Sequence, residues 1–239
     1  GMVCTSEPLA AMAGLDVLKA GGNCVDAAIA TNAVIGLTEP ASNGIGGDLF
    51  AILWIEKDQK LYGLNASGRA PYDWNLRQAK ELGLESIPRV SPLAWSVPGC
   101  VSGWGALNQR FGSKPLGECL QAAIAYARDG FPLAPLIATH FDWPAERGPH
   151  MAHVYHPGGK TPRYGDIFAN PLLANALEAI AKDGPAAYYE GYIAEAIVAK
   201  SKELGGFMSM KDLKDHTADW VEPVSTNYRG YDLWEIPPN

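Results

Sequence analysis

Arg69 is the residue of this chain placed best for recognition chemistry. It closes the run Asn65-Ala66-Ser67-Gly68-Arg69-Ala70-Pro71, where Pro71 holds Ala70 extended and Gly68 frees the backbone ahead of the arginine. An arginine fixed at the end of a strand can grip a carboxylate with two parallel hydrogen bonds. A surface or structural ion pair is the other reading of a lone arginine, and the local residues leave both open.

Other patterns lose their first meaning in context. Asn43-Gly44-Ile45-Gly46-Gly47-Asp48 looks like a dinucleotide turn, but such a turn follows a strand and opens a helix, so that the pyrophosphate meets the helix N-terminus. Here it follows a helix and opens an apolar strand, so the glycines are read as serving positive φ and close packing beside a sheet. His150, His153 and His156 recur at every third residue inside Pro144–Pro162, a Pro- and Gly-rich stretch that reads as a surface loop. A loop fixes no common face for three imidazoles, so no metal site is expected. Asp73, Asp129, Asp142 and Asp166 stand beside turn residues as caps, and no nucleophile elbow is present.

The elements that must position Arg69 follow from periodicity. Met2–Thr5 reads as a short strand, with Ser6 as N-cap and Pro8 in the first turn of a helix that Gly21-Gly22 stop. A second helix, about Val25 to Leu37, is apolar nearly all round and should be buried, its alanines admitting close neighbours. Leu49–Glu56 and Leu61–Ala66 form a hairpin joined by Lys57-Asp58-Gln59-Lys60, and Arg69 follows on its second strand. Helical patterns follow over 73–84, 101–111, 116–128, 133–146, 171–182 and 186–204, then a short capped helix at Ser209–Asp215. Val224–Ile236 carries strand character about a turn at Tyr228–Tyr231. Strand pairs at the two ends with helices between make a thin sheet, so residues 1–239 read as one incomplete domain, α/β in the α+β sense and helix-rich.

Composition narrows the function. Hydrophobic residues are 47% and charged residues 19% of the chain, an ordinary globular balance. The formal net charge is −7 with no basic run, which leaves no electrostatic footprint for nucleic acid. Cys4, Cys24, Cys100 and Cys119 show neither CxxC nor metal-ligand spacing. No apolar window is long enough for a membrane span. With no charged-then-apolar leader at the start, a cytoplasmic location is favoured, with periplasm or secretion left open.

An ordered series of phrases carries a resemblance. Gly1-Met2-Val3, Pro8-Leu9-Ala10, Gly21-Gly22-Asn23-x-Val25-Asp26-Ala27-Ala28, Glu39-Pro40 and Gly44-Ile45-Gly46-Gly47 come first. Val97-Pro98-Gly99, Ala127-Arg128-Asp129-Gly130-Phe131, Gly184-Pro185, Tyr189-x-Gly191, Gly205-Gly206, Asp212-Leu213 and Tyr228-Arg229-Gly230-Tyr231 follow. Together they resemble the amino-terminal part of the large subunit of a γ-glutamyltranspeptidase, an N-terminal-nucleophile hydrolase. The resemblance implies a share of a four-layer αββα sandwich and a proenzyme that cuts itself to expose a threonine on a small subunit. That threonine attacks the γ-glutamyl amide with its own α-amine as base, and the acyl group passes to water or an amine. No cofactor is implied.

The threonines here (Thr5, Thr31, Thr38, Thr139, Thr161, Thr217 and Thr226) lack the nucleophile's context. The implied partners are therefore the remainder of the precursor, or the small subunit with the nucleophile, and a small γ-glutamyl or acyl-amide substrate. This chain alone is expected to be inactive, and homo-oligomerisation is left open. The family's substrate-binding arginine falls at Ser67, four residues before Pro71, whereas Arg69 stands two before it. A shift of two keeps the strand face and moves the group by roughly 7 Å. Asp48 replaces a frequent glycine. Both departures resemble an acylase-like branch, so a glutaryl-type acylase is the alternative activity, and a non-catalytic homologue the alternative class.

Overall fold

The computed structural model describes residues 1–142 and 149–239, with Pro149 and His150 described by their backbone alone. In chain order the elements are α1 (Pro8–Lys19), α2 (Cys24–Thr38), β1 (Leu49–Ile55), β2 (Lys60–Ala66), α3 (Leu76–Glu81), α4 (Cys100–Phe111), α5 (Leu116–Cys119), α6 (Gln121–Asp129), β3 (Phe131–Pro132), α7 (Pro135–His140), α8 (Pro149–Tyr155), β4 (Ile167–Phe168), α9 (Pro171–Asp183), α10 (Ala186–Tyr189), α11 (Tyr192–Glu203), α12 (Met210–Lys214), β5 (Asp219–Val221), β6 (Val224–Tyr228) and β7 (Tyr231–Glu235). The chain is α+β and helix-rich, and the strands make three small sheets ordered β1-β2-β5, β3-β4 and β6-β7. It divides into two compact units, one of residues 1–44 with 108–182 and the other of 45–107 with 183–239.

The first unit is built on α2. Asn23 caps it by accepting from Val25 N and Asp26 N, while Asp26 accepts in return from Asn23 N, a capping box that fixes where the helix begins. Val25, Ala27, Ile29, Ala30, Ala33, Val34 and Leu37 are buried along it, while the side that carries Cys24 and Ala28 is exposed, so the helix is less enclosed than its apolar circumference predicts. The alanines do admit a neighbour: a methyl added at Gly14 of α1 would stand 2.2 Å from Thr31 Oγ1 and 3.0 Å from the Ala27 carbonyl. Phe131, Phe141, Phe168 and Leu133 continue this core.

In the second unit β1 and β2 pair antiparallel from Leu49↔Ala66 to Ile55↔Lys60, joined through a 3-10 turn and a left-handed Gln59. β5 adds to the far side of β2 with Gly63↔Val221 and Asn65↔Asp219. One sheet face carries Leu49, Leu64 and Ala66 and takes α4, whose Gly103 would place a methyl 2.9 Å from Leu49 Cδ2 and 3.0 Å from Ala66 Cβ. Phe50, Ile52 and Trp54 point to the opposite face and are exposed. β6 and β7 form a hairpin with left-handed Arg229 and Gly230 at its tip.

Several sequence expectations change. The helix expected over 116–128 is two, α5 and α6, divided at Leu120, and the one expected over 133–146 is α7 over Pro135–His140, with residues 143–146 outside the described residues. Met2–Thr5 is not a strand, because it has no ladder partner among the described residues. Glu7 rather than Ser6 is the N-cap of α1, and Ser6 Oγ instead donates to Glu39 at 2.7 Å. The stretch 144–162, read as a loop, contains α8 over Pro149–Tyr155, with Pro149 as its opening residue, while residues 144–148 lie outside the described residues. The single helix expected over 186–204 is two, divided at Gly191, the N-cap of α11.

Candidate active-site arm

Arg69 leaves β2 on the exposed sheet face. Cross-strand partners share a face, so Phe50, Asn65 and Asp219 form one row across β1, β2 and β5. Ser67 and Arg69 continue the parity of Asn65 beyond that row. The segment is held by backbone contacts. Asp48 Oδ1 accepts from Gly68 N at 2.8 Å, Val97 N donates to Arg69 O at 2.9 Å, and Gly47 O accepts from both Gly99 N and Cys100 N at 2.9 Å. Ser67 N donates to Asn65 Oδ1 at 2.9 Å.

Glycine is obligatory at two of these contacts. A methyl at Gly68 would lie 2.0 Å from the Val97 carbonyl oxygen, and one at Gly99 would lie 1.9 Å from that of Ala66. At Gly46 a methyl meets nothing within 4 Å. The turn Gly44–Asp48 therefore works through its carbonyl and carboxylate acceptors more than through Gly46.

The guanidinium of Arg69 donates from Nη2 to Asp219 Oδ2 at 2.9 Å and from Nη1 to the Thr217 carbonyl at 3.1 Å. A longer contact of 3.5 Å joins Nη1 to His216 Nδ1. Arginine only donates, so Nδ1 is the acceptor and the neutral His216 proton sits on Nε2. His216 is 8% exposed, and its Nε2 has no hydrogen-bond partner among the described residues. Its ring lies 5.6 Å from that of Tyr189, whose hydroxyl donates to the Pro98 carbonyl at 2.7 Å. Burial lowers the His216 pKa below its ordinary value and the Arg69 charge lowers it further, against the opposing pull of Asp219 and Asp48. His216 is therefore uncharged at neutral pH.

Of the residues the sequence singled out, Arg69 is half-exposed at the head of this cluster and Ser67 is partly buried beside it. Asp219, Thr217 and His216 were not foreseen. They lie nearly 150 positions away on the chain, and no local pattern announces the β2–β5 ladder that delivers them. An ion pair exposed at 50% and 56% of its two side chains contributes no more than about 1 kcal/mol. The histidines do not form a comparable cluster: His153 is exposed on α8, His156 is buried with Nε2 2.9 Å from the Phe141 carbonyl, and the His150 side chain lies outside the described residues.

A family profile described as Gamma-glutamyltranspeptidase matches residues 10–239. The glutathione hydrolase-like YwrD proenzyme of Bacillus subtilis (strain 168) is 35% identical over 242 residues, covering 100% of this chain and 46% of that protein. The acylase ACY 1 proenzyme of Pseudomonas sp. (strain SE83) is 34% identical over 249 residues, with 100% and 45% covered. Among solved structures, the cephalosporin acylase from Bacillus halodurans superposes with a TM-score of 0.93 at 40% identity over 98% of this chain and 45% of its own. The Helicobacter pylori gamma-glutamyltranspeptidase gives 0.92 at 29% identity, covering 100% and 70%. The chain spans about half the length of the curated relatives it matches. The fold is that of the N-terminal-nucleophile hydrolases the sequence resembled, and the chain belongs to the γ-glutamyltranspeptidase family.

Proposed function

We propose that the complete protein is an amidase or acyltransferase of the γ-glutamyl class and that this chain is its non-nucleophile portion, inactive by itself. The observation that carries the reading is Arg69, half-exposed just beyond the end of β2 and engaged, among the described residues, by an exposed ion pair, the Thr217 carbonyl and a longer contact to His216. In this reading the donor's carboxylate takes the guanidinium, which fixes the amide along the sheet face. A threonine at the start of the small subunit, beyond these residues, gives its hydroxyl proton to its own α-amine as its oxygen adds to the γ-carbonyl. The C–N bond then breaks, the departing amine takes that proton, and the acyl-enzyme passes its group to water or an acceptor amine. Ser67 occupies the position of the family's substrate-binding arginine and borders the same carboxylate.

A glutaryl-type acylase is the second reading, favoured by the likeness to acylase ACY 1 and to cephalosporin acylase together with the displaced arginine. Hydrolysis of γ-glutamyl and glutaryl p-nitroanilides by the complete protein separates the two. Arg69→Ala is expected to raise KM for the preferred donor by about 100-fold, the loss of a charge-assisted pair of hydrogen bonds. An unchanged KM refutes the carboxylate clamp.

A further inference from the structure

We infer that His216 is a positioning residue for the recognition step: its Nδ1 is the fixed acceptor that sets the orientation of the Arg69 guanidinium. The inference rests on the reading above, that Arg69 receives the donor's carboxylate. One short segment supplies every acceptor that the Arg69 side chain meets among the described residues, with His216 Nδ1 and the Thr217 carbonyl at Nη1 and Asp219 Oδ2 at Nη2. Thr217 and Asp219 are exposed, and water screens the contacts made to them. His216 alone of the three is buried, and it is held from behind. Its ring lies 5.6 Å from that of Tyr189, whose hydroxyl donates to the Pro98 carbonyl at 2.7 Å and accepts from Ser102 N at 3.1 Å. Its own backbone N–H donates to the Leu213 carbonyl at 3.2 Å.

The tautomer of the ring follows from the arginine. Arginine has no acceptor to offer, so the neutral ring turns the Nδ1 lone pair toward Arg69 and carries its proton on Nε2. That N–H is buried beside Gly99, where an added methyl would stand 3.4 Å away, and it finds no acceptor among the described residues. A buried donor left unpaired destabilises a fold. The opposite tautomer would aim an N–H at the guanidinium, and an imidazolium would set a second cation there. Burial and the Arg69 charge both disfavour the imidazolium, against the pull of Asp219 and Asp48. The ring therefore burdens the fold at Nε2 and serves Arg69 at Nδ1. At 3.5 Å the contact is too long to hold the arginine by strength, so what it supplies is direction. It fixes the rotation of a planar fork whose two-pronged grip on a carboxylate depends on that plane.

The test compares two substitutions of equal size in the complete protein. Asparagine and leucine have nearly the same shape, and only asparagine places an acceptor, its Oδ1, where Nδ1 stands. With whichever p-nitroanilide the wild type hydrolyses, His216→Asn is expected to keep KM within about 2-fold of wild type and His216→Leu to raise it about 5-fold, the worth of a typical net hydrogen bond. The effect falls on KM rather than kcat, since His216 touches no reacting atom. Scanning calorimetry should rank the two the other way, with His216→Leu melting at or above His216→Asn, because leucine strands no polar group. A merely structural role makes KM follow stability instead. Equal KM values in the two variants, or a wild-type nitrogen-15 spectrum that puts the neutral His216 proton on Nδ1, overturn the inference while Arg69→Ala still raises KM. An Arg69→Ala variant with the KM of wild type overturns the reading on which it rests.

Discussion

Gly99→Ala probes how accurately the scaffold must hold Arg69. The added methyl would sit 1.9 Å from the Ala66 carbonyl oxygen and 3.4 Å from His216 Nε2. Relieving the first contact needs a separation of about 1 Å or more. Both sides are backbone, and both are tied down. Gly99 N and Cys100 N donate to Gly47 O, Arg69 O accepts from Val97 N, and Ala66 ends the β2 ladder. No flexible side chain is there to absorb the shift, so the cost lies at the upper end of overpacking, about 3 kcal/mol. The displaced element is the one that carries Ser67 and Arg69. A 1 Å error in a positioning group lowers rate by about 100-fold. In the complete enzyme, Gly99→Ala should therefore lower kcat/KM for the preferred anilide about 100-fold and reduce the melting temperature by several degrees. Gly46→Ala, with nothing within 4 Å of its new methyl, is the matched control and should stay within about 0.5 kcal/mol of wild type. Initial rates and scanning calorimetry on the two variants decide the matter. If Gly99→Ala matches Gly46→Ala in both, the glycine argument is wrong.

Two further predictions concern the scaffold. Asp26 is fully buried and accepts from Asn23 N, Ser113 N, Ser113 Oγ and Lys114 N, so Asp26→Ala should cost about 3–5 kcal/mol by stranding those donors, measured by urea unfolding. Burial pushes its carboxyl up, but the hydrogen bonds from Ser113, Asn23 and Lys114 outweigh that and hold its pKa below 3.8; its stabilisation is complete above the unfolded value and is lost as pH falls through the folded one, a loss that Asp26→Asn should remove. Cys100 and Cys119 are buried, and burial is the main cause that pushes their thiols up to about 12 and about 11. Both should resist a thiol reagent at pH 8 in the folded protein and react on unfolding, since reaction needs the thiolate.

The sequence made the local part of this architecture legible. α2 is buried over most of its circumference, with Cys24 and Ala28 left exposed, the β1–β2 hairpin ends at Ala66 and leads into the Arg69 segment, and Ser209 with Asp212 forms the capping box that opens α12. Reading the Gly44–Asp48 turn by its order, helix before and strand after, removed the dinucleotide site, and the strand does begin at Leu49. Less legible was everything that depends on distant pairing. Asp219 meets Arg69 through the β2–β5 register, and a three-residue strand carries too little pattern to be read alone. The need for glycine at Gly68 and Gly99 comes from carbonyls of facing segments, which no window of sequence contains. Met2–Thr5 has strand composition but no partner among the described residues, and composition by itself does not make a ladder. The region of α8 misled by its prolines and glycines, where Pro149 opens a helix instead of ending one.

The central claim is that this chain supplies the recognition arm and that the nucleophile lies outside it. The most direct measurement is to trap the acyl-enzyme of the complete protein with a slowly deacylating γ-glutamyl donor and map the adduct by peptide mass spectrometry. The account predicts a single acyl adduct on an amino-terminal threonine beyond residue 239, with trapping strongly reduced in Arg69→Ala. An adduct on a side chain within residues 1–239 would contradict it.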